Sequence, residues 1–244
     1  MKIIIILSLL LTPAIIFGQV RKVSTVRKTT EKPTTDTTIK RHIPPRMNTA
    51  ERSRIKNPDN GQTIYNINTK TYETFNGKNW YATKHFLGEQ FGGGIIYQLK
   101  DNGTHGMIIS KFDLNCAVQW YNGVNKKIIV YNEEVFLTGA EKTALIVAAQ
   151  TGDNPNGIFA ARLCADYSVK ENGQTYNDWF LPTYGEFYYI HVNKKYIQGL
   201  SDFYWTTDEY QFTQDAALTY SFEFGDAVMA VKLELRPVRA IRTF

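Results

Sequence analysis

The apolar positions of this chain follow several different rhythms. Residues 3–17 form a nearly continuous apolar run, broken by Ser8, Thr12 and Pro13. Residues 20–56 carry hardly any large apolar side chain, so they cannot repay the entropy of ordering, and the pattern predicts an extended linker. Between 57 and 82, Ile64, Tyr72 and Phe75 among threonines predict two short strands around Asn68-Thr69-Lys70, and the turn dipeptide Asn76-Gly77 leads on to Trp80. An isolated hairpin is marginal in water, so this one is expected to pack on something else or to pair between chains.

From Phe91 onwards the pattern is that of a folded domain. Residues 95–99 and 107–110 read as strands on either side of a turn rich in Asp, Asn and Gly. Thr138 and Glu141 form a T-x-x-E capping box ahead of Ala144, Leu145, Val147 and Ala148, which predicts a helix that gives way at 152–157. Residues 158–167 read as a further helix with Ala160, Ala161 and Cys164 on one side. The stretch 177–190, N-D-W-F-L-P-T-Y-G-E-F-Y-Y-I, is the most constrained of all. Pro182 holds its own φ and pushes Leu181 to extended backbone, so Trp179, Phe180 and Leu181 should run strand-like into the turn. Thr183 and Glu186 then supply a second capping box and start a helix at Tyr184, with Phe187, Tyr188 and Ile190 as its buried candidates. After it, Leu218, Tyr220, Phe222 and Phe224 alternate with polar residues, Gly225-Asp226 marks a turn, and Val231, Leu233 and Leu235 alternate with Lys232, Glu234 and Arg236. Helices in the middle with strands at both ends predict an α+β domain over 91–244 whose N- and C-terminal strands are paired.

Composition changes this picture in one respect. The formal net charge is +5, which taken alone suggests a polyanionic partner. The charge is uneven, however. Residues 20–56 carry +8, residues 57–244 carry −4, and Lys2 supplies the rest. The basic character belongs to the linker. A nucleic-acid-binding fold carries its positive footprint on the fold, so nucleic acid is not expected as a partner. Lys2, the apolar run and Gly18 have the layout of a secretory signal peptide, cleaved near Gly18 or Gln19, and no later stretch is long and apolar enough to span a membrane. The expected location is therefore exported: periplasmic, cell-surface or extracellular. In such a compartment Cys116 and Cys164 are a candidate disulfide, and two buried thiols are the alternative.

Five blocks carry a resemblance. They are Gly93-Gly94-Ile95-Ile96-Tyr97 with His105-Gly106, Ala160-Ala161-Arg162-Leu163-Cys164, Asp178-Trp179-Phe180-Leu181-Pro182-Thr183 with Glu186, 204–210 (Y-W-T-T-D-E-Y), and Arg236-Pro237-Val238-Arg239-Ala240. Their order resembles that of DUF1566 domains, also described as the C-terminal domain of the Legionella collagen-like adhesin, which border on the Fibrobacter succinogenes major paralogous domain family. The likeness covers 92–244. It implies a fold similar to C-type lectins and to the formylglycine-generating enzyme superfamily, and an extracellular module, often trimeric, that in the collagen-like adhesin binds sulfated polysaccharides. The 57–80 stretch is also similar to a short hairpin found beside other domains in secreted proteins of the Bacteroidetes type.

Candidate chemistry is sparse. His42, His85, His105 and His191 form no recognisable cluster, and there is no nucleophile elbow, phosphate-cradling loop or dinucleotide fingerprint, so no catalytic residues, metal or cofactor are expected. Trp205, Asp208, Glu209, Tyr210 and Gln211 are the candidate ligand-binding residues, because aromatic faces stack on sugar C–H surfaces while carboxylates and amides take up hydroxyl hydrogens. Arg236, Arg239 and Arg242 on a final strand are the candidate polyanion patch, and Trp179, Pro182, Thr183 and Glu186 are the structural corner. The leading expectation is an exported, non-enzymatic binding or adhesion module recognising a polysaccharide or glycan. The alternatives are an exported enzyme of the formylglycine-generating type, with Cys116 or Cys164 reactive, and a structural subunit that forms a homotrimer through the 57–80 stretch.

Overall fold

The structure is a computed structural model and describes residues 42–129 and 136–244. The expected signal peptide at 1–19 and most of the expected linker lie outside the described residues. Within them the fold is mixed α+β, built from small antiparallel sheets and few helices.

The first sheet contains more than a hairpin. β1 (Arg46–Met47) is followed by the short helix α1 (Thr49–Arg52), and then by β2 (Thr63–Asn66), β3 (Thr71–Phe75) and β4 (Trp80–Thr83). The strands lie in the order β1-β2-β3-β4, with β1 parallel to β2 and the remaining pairs antiparallel. Residues 46–52 therefore correct the linker expected over 20–56: its last part is built into the fold. The local reason is a capping box that the sequence reading passed over. Asn48 accepts from the Glu51 N–H at 2.9 Å, and Glu51 accepts in return from the Asn48 N–H at 2.8 Å.

Next come β5 (Gln90–Phe91), β6 (Gly94–Lys100), a single 3₁₀ turn at Asp101–Gly103, and β7 (His105–Ser110). β8 (Asn115–Val118) leads towards α2 (Gly139–Asp153) and α3 (Ala160–Ala165); β9 (Val169–Glu171) and β10 (Gln174–Tyr176) form a small hairpin. Then follow α4 (Tyr184–Val192), β11 (Phe203–Glu209), β12 (Ala216–Ser221), β13 (Asp226–Val231), β14 (Arg236–Val238) and β15 (Ile241–Thr243). The strands at the start and end of the larger domain share one sheet of order β15-β7-β6-β5. The last strand pairs with β7, however, one place removed from the β6 partner that the N-to-C pairing implied. Gly94 shows why this ladder demands a glycine: a Cβ there would run into the Ile109 carbonyl across the pair.

Two apolar clusters fill the interior. One gathers Ile96, Ile108, Trp120, Ile146, Phe159, the Ala160-Ala161-Cys164 face of α3, Trp179 and Trp205. The other surrounds α4 with Tyr97, Phe187, Ile190, Tyr204, Tyr220 and Phe222. The capping boxes read at Thr138 and Thr183 both form at the predicted helix starts. Where the pattern misleads is 231–235. β13 ends at Val231 and the chain turns through 232–235, where the Glu234 N–H donates to the Val231 carbonyl at 2.8 Å; in that turn Lys232 is buried while Leu233 and Leu235 are about 60% exposed, the reverse of the hydrophobic expectation.

The first sheet docks on this body. Tyr72 meets Phe86 at 4.5 Å between ring centroids, the Lys84 N–H donates to the Asn102 carbonyl at 3.3 Å, and Gly103 sits against His85 and Thr83. The expectation that an isolated hairpin must find a partner is thus met within the chain.

Candidate functional site

The 177–190 corner is built as its residues require. Trp179 is buried and donates Nε1–H to the Tyr176 carbonyl at 3.1 Å, and Phe180 exchanges two backbone bonds with Ile241, at 2.9 and 3.0 Å. Beyond Pro182, the Thr183 N–H donates to Glu186 at 2.7 Å and the Glu186 N–H returns a bond to the Thr183 hydroxyl at 3.1 Å. Burial pushes the Glu186 carboxyl above its ordinary value, more strongly than the Thr183 hydrogen bonds pull it down. A folded-state value above the unfolded one means that Glu186 stabilises the fold most below its unfolded pKa, and that this contribution is lost as pH rises through the folded one. Glu186→Gln keeps an acceptor for the cap without the buried charge. Relative to the natural chain, it is expected to gain stability between pH 4 and pH 7 in urea titrations; a difference that stays flat with pH would refute the burial assignment.

The structure places the candidate ligand segment inside the molecule, which corrects that expectation. Trp205 is fully buried and its Nε1–H donates to the Val118 carbonyl at 2.8 Å. Asp208 accepts from the Tyr184 N–H at 2.6 Å, at the start of α4, and pairs with Lys142 of α2. Glu209 has a fully buried side chain. It accepts from the Ile128 N–H at 2.8 Å and from the Ile129 N–H, and it pairs with Lys232. The Tyr210 carbonyl takes the Lys127 ammonium while its ring leans on Phe212; only Gln211 is plainly at the surface. The carboxylates that suggested sugar hydroxyls serve backbone amides and lysines. β11 packs against both α2 and α4, so few of its side chains reach solvent.

The arginines do not form a patch either. Arg239 is fully buried, and its guanidinium donates to four backbone carbonyls, those of Ser110, Lys111, Gln198 and Gly199. Arg242 is buried with Nε and Nη2 on the two oxygens of Asp178, at 2.6 and 3.0 Å, and lies over the Tyr176 ring. Arg236 pairs with Glu234 over Phe203. Arg239 and Arg242 are spent in the interior, and Arg236 is held in a surface pair. The expected disulfide is absent too: Cys116 is on the exposed side of β8, whereas Cys164 is buried on the alanine face of α3, where burial pushes its thiol well above the ordinary range.

Two features remain. The first is a shallow groove of about 440 Å³ lined by Ala140, Thr143, Ala144 and Val147 of α2 and by Trp179 and Phe180 of the corner. The second is the β1-β2-β3-β4 sheet, which is stiffened on both faces. On one, the Thr63, Thr74 and Thr83 hydroxyls form a rung across three strands at 2.9 and 3.3 Å. On the other, the buried Glu73 carboxylate takes Arg52 of α1 at 2.6 Å and the Asn66 amide at 2.9 Å. Near the open end Phe75 and Trp80 pair their rings at 5.6 Å and are only half-buried. Among the described residues neither β1 nor β4 has a second strand partner, although the 3₁₀ turn at Asp101–Gly103 lies against the end of β4. Two different edges on one sheet are what a head-to-tail ring needs, because a three-fold axis joins one surface of each copy to another surface of the next.

Comparison with known proteins bears on this sheet. Residues 29–94 match the family model described as a phage tail like trimerisation region. The match begins before the described residues, takes in the whole four-stranded sheet, and ends at the first residue of β6. No curated protein matches the chain. The sequence signal for this site was the threonine-flanked hairpin at 57–82; the contribution of 46–52 depended on the Asn48/Glu51 cap and was missed.

Proposed function

We propose that this protein is an exported, non-enzymatic structural subunit of a homotrimeric surface assembly, joined through its N-terminal sheet, with the domain after β5 carried outward as the part that meets other molecules. The observation that carries this reading is the match of residues 29–94 to a trimerisation region, coinciding with a four-stranded sheet whose end strands have no second strand partner among the described residues. The lectin-like character of the larger domain is part of the same proposal and rests on the five ordered blocks. The apolar stretch at 3–17 supports export. Among the described residues no helix is long and apolar enough to cross a membrane, and no group of three or more His, Cys, Asp or Glu could hold a metal ion.

Sedimentation equilibrium of the full secreted chain tests the trimer. The expected mass is three times that of the protomer, holding to low micromolar protein. A protomer mass at every concentration would end this reading.

A further inference from the structure

β13 is the outer strand of the sheet β11-β12-β13, and among the described residues its far edge has no strand partner. Its sequence, D-A-V-M-A-V, carries no proline and no charge after its first residue, the signature of a strand that pairs with copies of itself. Ala230 turns to the core, so the opposite face carries Met229 and Val231, which are 51% and 41% exposed. An edge of this kind invites a second copy of the chain.

The register shows which backbone groups point outward. Val231 lies opposite Ala216, Met229 opposite Leu218 and Ala227 opposite Tyr220. One place further on, the Lys232 N–H donates to the Asp215 carbonyl at 2.8 Å. Antiparallel pairs alternate between bonded and non-bonded, so with Lys232 turned towards β12, Val231, Met229 and Ala227 direct their N–H and C=O groups away from it. Two of these three N–H groups are nevertheless occupied. Ala227 donates to Asp226 Oδ1 at 2.7 Å, and Val231 donates to Glu234 Oε1 at 3.2 Å. The Val231 carbonyl also accepts from the Glu234 N–H at 2.8 Å. Both carboxylates are held from behind: the Tyr184 hydroxyl faces Asp226, and Arg236 pairs with the other oxygen of Glu234.

We propose that Asp226 and Glu234 guard the β13 edge against a second copy of this chain. Antiparallel pairing of two copies about a two-fold axis at Met229 sets Met229 against Met229, and Ala227 against Val231 in both directions. Each copy then has to supply the N–H groups of Ala227, Met229 and Val231, and two of the three are already spent on carboxylates. Exchanging a charge-assisted bond for a neutral one is a net loss, so the edge stays unpaired. Repulsion between the carboxylates is the lesser barrier, because both are exposed and screened by salt. The guard is independent of the N-terminal sheet and of the trimer.

Sedimentation velocity and equilibrium of the full chain at high micromolar protein test it. The double variant Asp226→Ala with Glu234→Ala is expected to reach at least twice the mass of the natural chain. Asp226→Asn with Glu234→Gln keeps an acceptor oxygen for each N–H and is expected to keep the natural mass. Adding Met229→Lys to the alanine pair puts an ammonium at the centre of the edge and is expected to restore the natural mass. The proposal is overturned if the alanine pair keeps the natural mass or if the amide pair associates as strongly. It is also overturned if Met229→Lys leaves the association unchanged, which would trace it to misfolding. The reference is the natural chain's own mass, three protomers or one, so failure of the trimer and failure of the guard are read separately.

Discussion

Glu209→Ala is expected to cost about 3–5 kcal/mol of stability, the range for breaking a buried ion pair from one side. The side chains of Glu209 and Lys232 are 0% and 1% exposed, and the Lys232 ammonium lies 4.6 Å above the centre of the Trp120 ring while also donating to the Lys126 carbonyl at 2.9 Å. Removing the carboxylate strands this cation in an apolar pocket and takes the acceptor from the Ile128 and Ile129 amides. Even with its partner in place, burial holds the Lys232 ammonium below its ordinary pKa. A lysine lowered in the folded state gains stability for the fold as pH rises from the folded towards the unfolded pKa, because the native state sheds its proton first. The loss in Glu209→Ala should therefore be greatest near neutral pH and shrink in alkaline buffer, as the stranded amine becomes neutral. The double variant Glu209→Gln with Lys232→Met should recover most of the loss, since glutamine keeps an acceptor for the two amides and methionine fills the pocket without charge. Urea unfolding at one fixed protomer concentration measures all three; a single-variant loss below about 1 kcal/mol would mean that the pair contributes no more than an exposed one.

Arg239→Met is expected to be comparably severe, about 4 kcal/mol or more. The native guanidinium holds the carbonyls of Ser110 and Lys111 after β7 and those of Gln198 and Gly199 before β11, with Asp113 Oδ1 3.6 Å away. Asp113 in turn accepts from the hydroxyls of Tyr204 at 2.7 Å and Ser201 at 2.9 Å. One planar fork thus ties three chain segments around a buried carboxylate. Methionine matches the length but donates nothing, leaving several carbonyls unpaired and a carboxylate without its cation. Lysine keeps the charge yet cannot serve four carbonyls spread over a plane, so Arg239→Lys should fall between the two. Equal stabilities for the methionine variant and the natural chain would remove this account of the arginine.

Glu209 and Arg239 were legible as chemistry, since a carboxylate beside a tryptophan and a tyrosine, and an arginine on a final strand, are good ligands in principle. Both are nevertheless used inside the molecule, because the backbone groups of 128–129, 110–111 and 198–199 needed charged partners that no local pattern announces. Lys232 shows the same in reverse. Val231, Leu233 and Leu235 alternate with polar residues in the sequence, yet β13 ends at Val231, and the turn that follows leaves both leucines exposed and Lys232 buried. The tyrosines of α4 show it too: Tyr184 lies far in sequence from Tyr220 and Asp226, and only the packing of α4 on β12 brings them together.

Local rules act within a few residues, and there the sequence by itself determined a good deal. The capping boxes at Thr138 and Thr183, the extended approach to Pro182, the glycine-marked turns, the concentration of positive charge before residue 57 and the α+β class all follow from short-range backbone and solvation physics. The tertiary structure alone decided which charges are spent inside, that Cys116 and Cys164 stay apart, that 46–52 complete a sheet, and which tyrosines share a face. Those outcomes depend on burial and on pairings across many residues, where the cost of an unpaired buried group outweighs any preference that a single stretch of chain can express.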